Sequence, residues 1–412
     1  MKKIVSIAVL VGLLLTGCNS SDENDSSKSS KSSKSSKSSK SSKSSDSYVV
    51  PSKFGPTVVD LFDRYTWIKA PNGKAIHIFS QPKVSVAQLL KARNTLEFFL
   101  TNTVSTNKKL IANSMADRGA TLFIFDDEEA MEIALSNEEF VEDAIAKNPQ
   151  ALYATEIFVE GDSNYLADSP AGRDATFEEV LHFTQAQGIA PVMKDFQKRI
   201  AEQADRAIEA NVWNPTEVQL EEWKEEGDEV TGYTTSHEYF AAIVEAYYGM
   251  WENGTKGMDG YIGYSRVLQA EHDKEGLKIV TSFLPKFIPT TMDIDPSFAA
   301  DSTFHMSYDA DLAYTTKSQY LMSVRLTGTN NSNISGNAQD NLLMGNEGDN
   351  KIDGKGGINT YKVNALRAEF IVTPHGGAYL VQDKDNARNG ADTLNNIKYI
   401  EFNDEKIDLT KL

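Results

Sequence analysis

The sequence predicts an α+β fold, with a helix-rich middle unit and an all-β C-terminal one. Three observations predict it. Short apolar runs rich in β-branched and aromatic residues come early, at Ala75–Phe79 and Thr121–Phe125. From Thr176 onward, apolar residues recur at helical spacing behind helix-start signals. From Gly336 to Lys362 a nine-residue pattern rich in glycine and asparagine repeats three times. Strands early, helices late and a separate strand-forming repeat divide the chain into two folded parts.

The N-terminus comes first. Met1-Lys2-Lys3 is basic, Ile4 to Leu15 is apolar and too short to span a bilayer, and the run ends in Leu15-Thr16-Gly17-Cys18. This resembles a bacterial lipoprotein signal peptide with its lipobox over residues 1–17. The resemblance implies cleavage before Cys18 and lipid attachment to its sulfur, so that the protein meets the membrane through that anchor. An ordinary signal peptide with an incidental cysteine is the alternative. Cys18 is the only cysteine, which excludes an intramolecular disulfide. Asn19 follows it where inner-membrane lipoproteins of Gram-negative cells resemble one another in carrying aspartate, which favours the outer membrane or cell surface within the envelope.

Residues 18–48 form a tether. Ser-Ser-Lys repeats through it, with lysines at 28, 31, 34, 37, 40 and 43. It has nothing to build a core from. A flexible coil of ~30 residues reaches roughly 30 Å. The whole chain carries a formal net charge of −18, and the tether lysines leave the folded remainder more acidic still. That excludes nucleic acid as a partner, which needs a basic footprint, and suits divalent cations.

Residues 49–325 are expected to form the α+β unit. Ala75–Phe79 reads as a buried strand. Val86–Leu100 reads as a helix, with Leu89, Leu90, Leu96, Phe99 and Leu100 apolar and Ser85 as its cap. Thr121–Phe125 is a second strand, and Asp126 and Asp127 open a helix over Glu128–Leu135. Tyr153–Val159 reads as a third strand. Helices follow at 177–187, 191–212, 216–226 and 236–252.

The chemistry concentrates in Thr176-Phe-Glu-Glu-Val-Leu-His-Phe-Thr-Gln185, which holds two carboxylates and one of six histidines. Two readings stand side by side. In one, Thr176 and Glu179 form a capping box and His182 is a buried core histidine. In the other, Glu178-Glu179-Val-Leu-His182 is compared with His-Glu-x-x-His, in which two ligands four apart share a helix face and the glutamate between them addresses a metal-bound water. Glu178 and His182 would then ligate zinc and Glu179 would be the general base. A third ligand comes from Ser236-His237-Glu238-Tyr-Phe-Ala-Ala-Ile-Val-Glu245. Glu238 is preferred, with Glu245 and His237 behind it. Thr235 and Glu238 also have capping-box spacing. The segment resembles the downstream glutamate helix of gluzincin peptidases and, more faintly, the anthrax-lethal-factor-like group. That implies a zinc-dependent, peptidase-like hydrolase acting on a protein or peptide, with glutamate in place of the first histidine. A non-enzymatic adhesion or ligand-binding module, directed at a cell-surface ligand, is the other reading of the unit. The second Glu-x-x-His that a di-iron carboxylate site needs does not occur in the chain. Neither does a Gly-x-Ser-x-Gly elbow or a P-loop.

Residues 326–412 carry the repeat. In nines from Gly336 the chain reads GNAQDNLLM, GNEGDNKID and GKGGINTYK, with a weaker copy, TGTNNSNIS, before them. Glycine opens each strong copy, asparagine is sixth, and Leu343, Ile352 or Tyr361 is eighth. This resembles the RTX (haemolysin-type) nonapeptide repeat. The resemblance implies a parallel β-roll with turns whose glycines take positive φ, inward eighth side chains, and calcium between turns of copies two apart. The expected calcium ligands are Asp340, Asn341, Asp349, Asn350, Asp353 and Asn359. Asparagine replaces the usual sixth aspartate, so affinity should be weak, on the order of 10⁻⁴–10⁻³ M. A roll held by asparagine turns without metal is the alternative. The strand signals over 368–402 resemble the cap that follows such repeats.

Overall fold

The structure, a computed structural model, describes residues 48–146, 148–168, 173–226, 234–253, 257–385 and 389–412. The lipobox, Cys18 and the tether up to residue 47 lie outside the described residues. Among the described residues, no helix is long and apolar enough to cross a membrane.

Helices and sheets are mixed, and the α+β expectation holds. The first sheet has the order β1 (Arg64–Lys69), β2 (Ala75–Ser80), β3 (Thr121–Phe125), β4 (Pro149–Tyr153). β1 runs antiparallel to β2, while β2, β3 and β4 are parallel. Side chains alternate between its faces. Phe79, Phe123 and Phe125 pack with Phe62, Met131 and Phe140 on one side. Ile76, Ile78, Leu122 and Ile124 join the main core on the other.

The helix Val86–Leu100 starts as its sequence dictates. Ser85 accepts from the Gln88 N–H, and the Gln88 side chain returns to the Ser85 N–H. Asp127 caps Glu128–Leu135 through the Ala130 N–H. Later helices are Lys194–Glu209, Glu217–Glu226 and Thr234–Tyr247, within a few residues of their expected limits.

Two expectations are corrected. The strand read at Tyr153–Val159 lies earlier, at Pro149–Tyr153, and a 3-10 turn follows at Ala154–Glu156. Ile157, Phe158 and Val159 are apolar because they are buried, not because they pair in the sheet. The Thr176–Glu179 capping box does not form. Ala175 is the N-cap, the Thr176 hydroxyl is buried without a hydrogen bond, and Asp174 accepts from the Thr176 N–H.

The C-terminal strands make two six-stranded sheets, with strands alternating between them from β5 to β11. One holds β5 (Met292–Ile294), β7 (Ser323–Leu326), β9 (Leu342–Met344), β11 (Thr360–Lys362), β15 (Tyr399–Glu401) and β16 (Lys406–Asp408). The other holds β6 (Thr303–His305), β8 (Asn333–Ser335), β10 (Lys351–Asp353), β14 (Ala391–Asn395), β13 (Ala378–Asp383) and β12 (Phe370–His375). Strands from copies two apart pair in parallel, Leu343 with Tyr361 and Ile334 with Ile352. Three of these strands, β5 to β7, lie at least partly upstream of residue 326. The main core is continuous from the helices into the space between the two sheets, where Leu343, Ile352, Tyr361 and Ile400 are buried.

The repeat has a physical cause in space rather than in backbone conformation. The opening glycines do not take positive φ; among the glycines of the three strong copies only Gly357 does, with Gly328 in the weaker copy. Instead, a Cβ at Gly336 would lie 2.6 Å from Asn341 Oδ1, one at Gly345 2.6 Å from Asn350 Oδ1, and one at Gly354 2.5 Å from Asn359 Nδ2. Each opening glycine makes room for the asparagine five places on. That asparagine is buried and fully engaged. Asn350 Oδ1 accepts from the Asn346 N–H at 3.0 Å, and its Nδ2 donates to the Ser332 carbonyl, 18 residues back, at 2.9 Å. Replacing it leaves buried peptide groups unpaired. We expect Asn350→Ala to lower stability by about 1–3 kcal/mol in chemical denaturation of the full chain. A loss within error of zero would show that the amide column carries no stability.

Candidate metal centre

The helix Thr176–Thr184, here the site helix, is buried over its whole length. It packs against Val86–Leu100, Thr234–Tyr247 and β4. Phe177 meets the rings of Phe98, Phe99 and Tyr248. These contacts fix the helix, and its polar residues are held in place by the packing around them. Directly after Thr184 the helix widens into a π-helical turn, Gln185–Ile189. Such turns concentrate at functional sites.

Glu178, Glu179 and His182 each place one donor atom within 4.8 Å of the others'. This is the one such group of three or more His, Cys, Asp or Glu side chains among the described residues. Glu179 Oε2 lies 3.8 Å from His182 Nδ1 and accepts from Gln150 Nε2 at 2.7 Å. On the other side of the imidazole, His182 Nε2 is 3.9 Å from Oε1 of Glu238, which arrives on the Thr234–Tyr247 helix. The His237 ring is 5.6 Å from that of His182. Glu178, Glu179 and His182 therefore come together on one helix, while Glu238, from a second segment, faces the other imidazole nitrogen and lies outside that group.

Four members of the site were not legible beforehand, or only weakly. Arg173 pairs with Glu178 Oε2, and its guanidinium stands 3.7 Å from Glu245 Oε2 and 5.4 Å over the Trp251 ring. Trp251 Nε1 donates to Glu245 Oε2 at 2.8 Å. Glu156, on the turn after β4, and Gln150, on β4, complete the set. No spacing rule links positions 150, 156 and 173 to the site helix. Only the fold brings them there.

The electrostatics follow from burying this many acids together. Burial, then the charges of Glu156 and Glu238, push the Glu179 carboxyl up to about 8. Burial pushes Glu156 up to about 7, against the pull of Arg173. Glu245 moves up for the same reason. Burial, with His237 and Arg173 nearby, holds the His182 imidazole well below its usual value, hence neutral. Glu156 Oε2, Arg173 Nε, His182 Nε2 and Glu245 Oε1 are all buried with no hydrogen-bond partner. Orphaned polar atoms thus lie on four neighbouring groups, beside acids that resist ionisation. The neutral imidazole and the two carboxylates of this helix form a group that could hold a metal ion.

The residues expected to hold calcium make hydrogen bonds between turns. Asp340 Oδ1 accepts from the Ile358 N–H at 2.7 Å, and Asp349 Oδ1 from the Ala391 N–H at 2.7 Å. Asp353 Oδ1 accepts from Asn396 Nδ2 at 2.7 Å. Asn341 Oδ1 accepts from the Asn337 N–H, and Asn359 Oδ1 from the Asn341 N–H. Asn359 Nδ2 donates to the carbonyls of Gly356 and Asn396. These side chains tie one turn to the next, 18 residues apart along the chain in several cases.

Comparison with known proteins matches no family model, no curated protein and no solved structure.

A raised carboxyl pKa has a definite consequence for stability. Between about 4.5 and 8 the unfolded chain has released the Glu179 proton while the folded chain keeps it, so this group's contribution falls as pH rises through that window. Glu179→Gln removes the charge with little change of shape. Relative to the wild type in chelator, it should raise the melting temperature more at pH 8.5 than at pH 6. An equal difference at both pH values would show that Glu179 ionises as an ordinary surface acid.

Proposed function

We propose that this is a lipid-anchored envelope protein whose α+β unit is a zinc-dependent hydrolase of peptidase-like type. Glu178, His182 and Glu238 are the ligands and Glu179 is the general base. The observation that carries the reading is the meeting of Glu178, Glu179 and His182 donor atoms within 4.8 Å in a buried site, with Glu238 at 3.9 Å from the unengaged imidazole nitrogen. Bound zinc would lower the pKa of its water towards 7 and polarise a carbonyl. Glu179, steadied by Gln150, would take the water's proton. Arg173 would leave Glu178 as the cation enters, and stay near Glu245. The C-terminal sheets are, on this reading, a β-roll of RTX type held chiefly by its amide columns, with calcium a weak addition.

One observation favours a second reading. Arg173 already supplies positive charge to Glu178 and Glu245. A cluster neutralised by arginine and protons would be a buried polar network in a non-enzymatic adhesion or ligand-binding module.

Zinc analysis of the full chain separates the two. The hydrolase reading expects close to one zinc per chain after dialysis, lost in His182→Ala and Glu238→Ala. It expects Glu179→Gln to keep the zinc and lose cleavage of a peptide library. Arg173→Gln should tighten zinc binding, because the competing cation is gone. If zinc is not retained and Arg173→Gln only destabilises the fold, by about 3–5 kcal/mol for an unpaired buried acid, the second reading stands.

A further inference from the structure

Among the described residues two lysines are buried, Lys91 and Lys108, and their surroundings differ. The Lys108 amine lies over the Phe283 ring and has no hydrogen-bond partner. Lys91, on the Val86–Leu100 helix, faces a carboxylate instead. Its Nζ donates to Glu160 Oε1, and both side chains are only 3% exposed. A second acid approaches the same amine, with Asp174 Oδ2 3.6 Å from Nζ. The rings of Phe177 and Tyr165 stand 5.6 and 5.8 Å from that nitrogen.

The surrounding chain fixes each of the three groups. Lys91 projects from a helix held at its start by the Ser85–Gln88 capping box. The Glu160 carbonyl accepts from the Asp295 N–H, just after β5, at 2.7 Å. Asp174 uses Oδ1 to accept from the Thr176 N–H, which turns Oδ2 towards Lys91. Residues 91 and 160 thus meet across 69 positions of sequence.

An ion pair leaves this arrangement incompletely satisfied. Glu160 Oε2 is buried with no hydrogen-bond partner. Burial pushes the Glu160 carboxyl up, against the pull of Lys91. Burial also favours the neutral amine of Lys91, although the charges of Glu160 and Asp174 hold it protonated. Keeping two charges out of water is costly. Transfer of one proton within the pair gives a neutral amine against a carboxylic acid, the two halves of an amide. Groups oriented in this way react with effective molarities that reach about 10⁵–10⁸ M. The surrounding rings exclude the water that would drive the reverse reaction. Because the step is needed once per chain, a minor tautomer is enough.

We propose that Lys91 and Glu160 condense into an amide crosslink, with Asp174 as the proton carrier. The Lys91 Nζ lone pair attacks Glu160 Cδ and forms the N–C bond. Asp174 takes a proton from the nitrogen and delivers it to the departing hydroxyl. The Cδ–O bond breaks and one water leaves. An ammonium and a carboxylate become a neutral amide and water, and nothing is oxidised or reduced. The product removes two buried charges and ties the Val86–Leu100 helix to the segment that leads from β4 towards the site helix. It restricts the unfolded chain as a disulfide would, in a protein whose single cysteine allows no internal disulfide. The crosslink is independent of the metal centre and does not rest on the hydrolase reading.

Tryptic mapping of the full chain by mass spectrometry tests it. The wild type should give a branched peptide joining residues 91 and 160, one water lighter than its two parts, with no cleavage after Lys91. Lys91→Arg and Glu160→Ala should give the two peptides separately and melt at lower temperature. Asp174→Asn keeps both reacting groups and should leave a larger unjoined fraction. The wild-type map decides the matter without any variant having to fold. The proposal is overturned if the wild type yields the two peptides unjoined, with cleavage after Lys91, or if the lost water maps to another pair of residues. A joined fraction in Asp174→Asn equal to that of the wild type overturns the role of Asp174.

Discussion

Everything at the buried site around His182 follows from burying acids together. Glu178, Glu179 and Glu245 are nearly inaccessible, and Glu156 and Glu238 add their charge to the same volume. Such a group cannot all ionise in a low-dielectric interior. It needs protons, an internal cation or a bound metal. The fold supplies part of the answer in Arg173, which reaches Glu178 and Glu245, and the raised carboxyl groups supply more. The surrounding aromatic packing of Phe98, Phe99, Phe177 and Tyr248 keeps the site helix from relaxing away from the cost. A cluster arranged in this way could hold a metal ion.

The C-terminal sheets solve the same problem mostly with amides, although Asp392 is buried among them, its carboxyl pushed up to about 7 by burial. Their turns bury many polar groups, and asparagine amides satisfy them with one acceptor and two donors each. Glycine opens each repeat because the asparagine leaves no space for a Cβ. An aspartate in that place would bring a charge needing a cation, whereas the amide completes its hydrogen bonds within the protein.

Much of the architecture was legible in the sequence, since hydrophobic period and cap residues act locally. Ser85 with Gln88 and the strands at 75–80 and 121–125 are such cases. The repeat gave its 18-residue pairing because its signal is periodic. β5 and β6 escaped notice because they join those sheets without the glycine–asparagine pattern. The run at 153–159 misled because burial alone selects apolar residues, whether or not the backbone pairs. At the site, helical spacing put residues 178, 179 and 182 on one helix, whereas Glu238 was singled out only through a resemblance of its segment. Arg173, Glu156 and Gln150 were not, because tertiary packing alone brings them there. The capping box at Thr176 looked right by spacing, yet Glu179 turns inward to Gln150.

Cobalt substitution of the full chain, followed by visible absorption, tests the central claim most directly. If the side chains at 178, 182 and 238 close on one cation, Co²⁺ should give intense d–d bands of a low-coordinate nitrogen and oxygen site. The bands should saturate at one equivalent and vanish in His182→Ala. A weak spectrum like that of the hydrated ion, unchanged by His182→Ala, would contradict the account and leave the acids to arginine and protons alone.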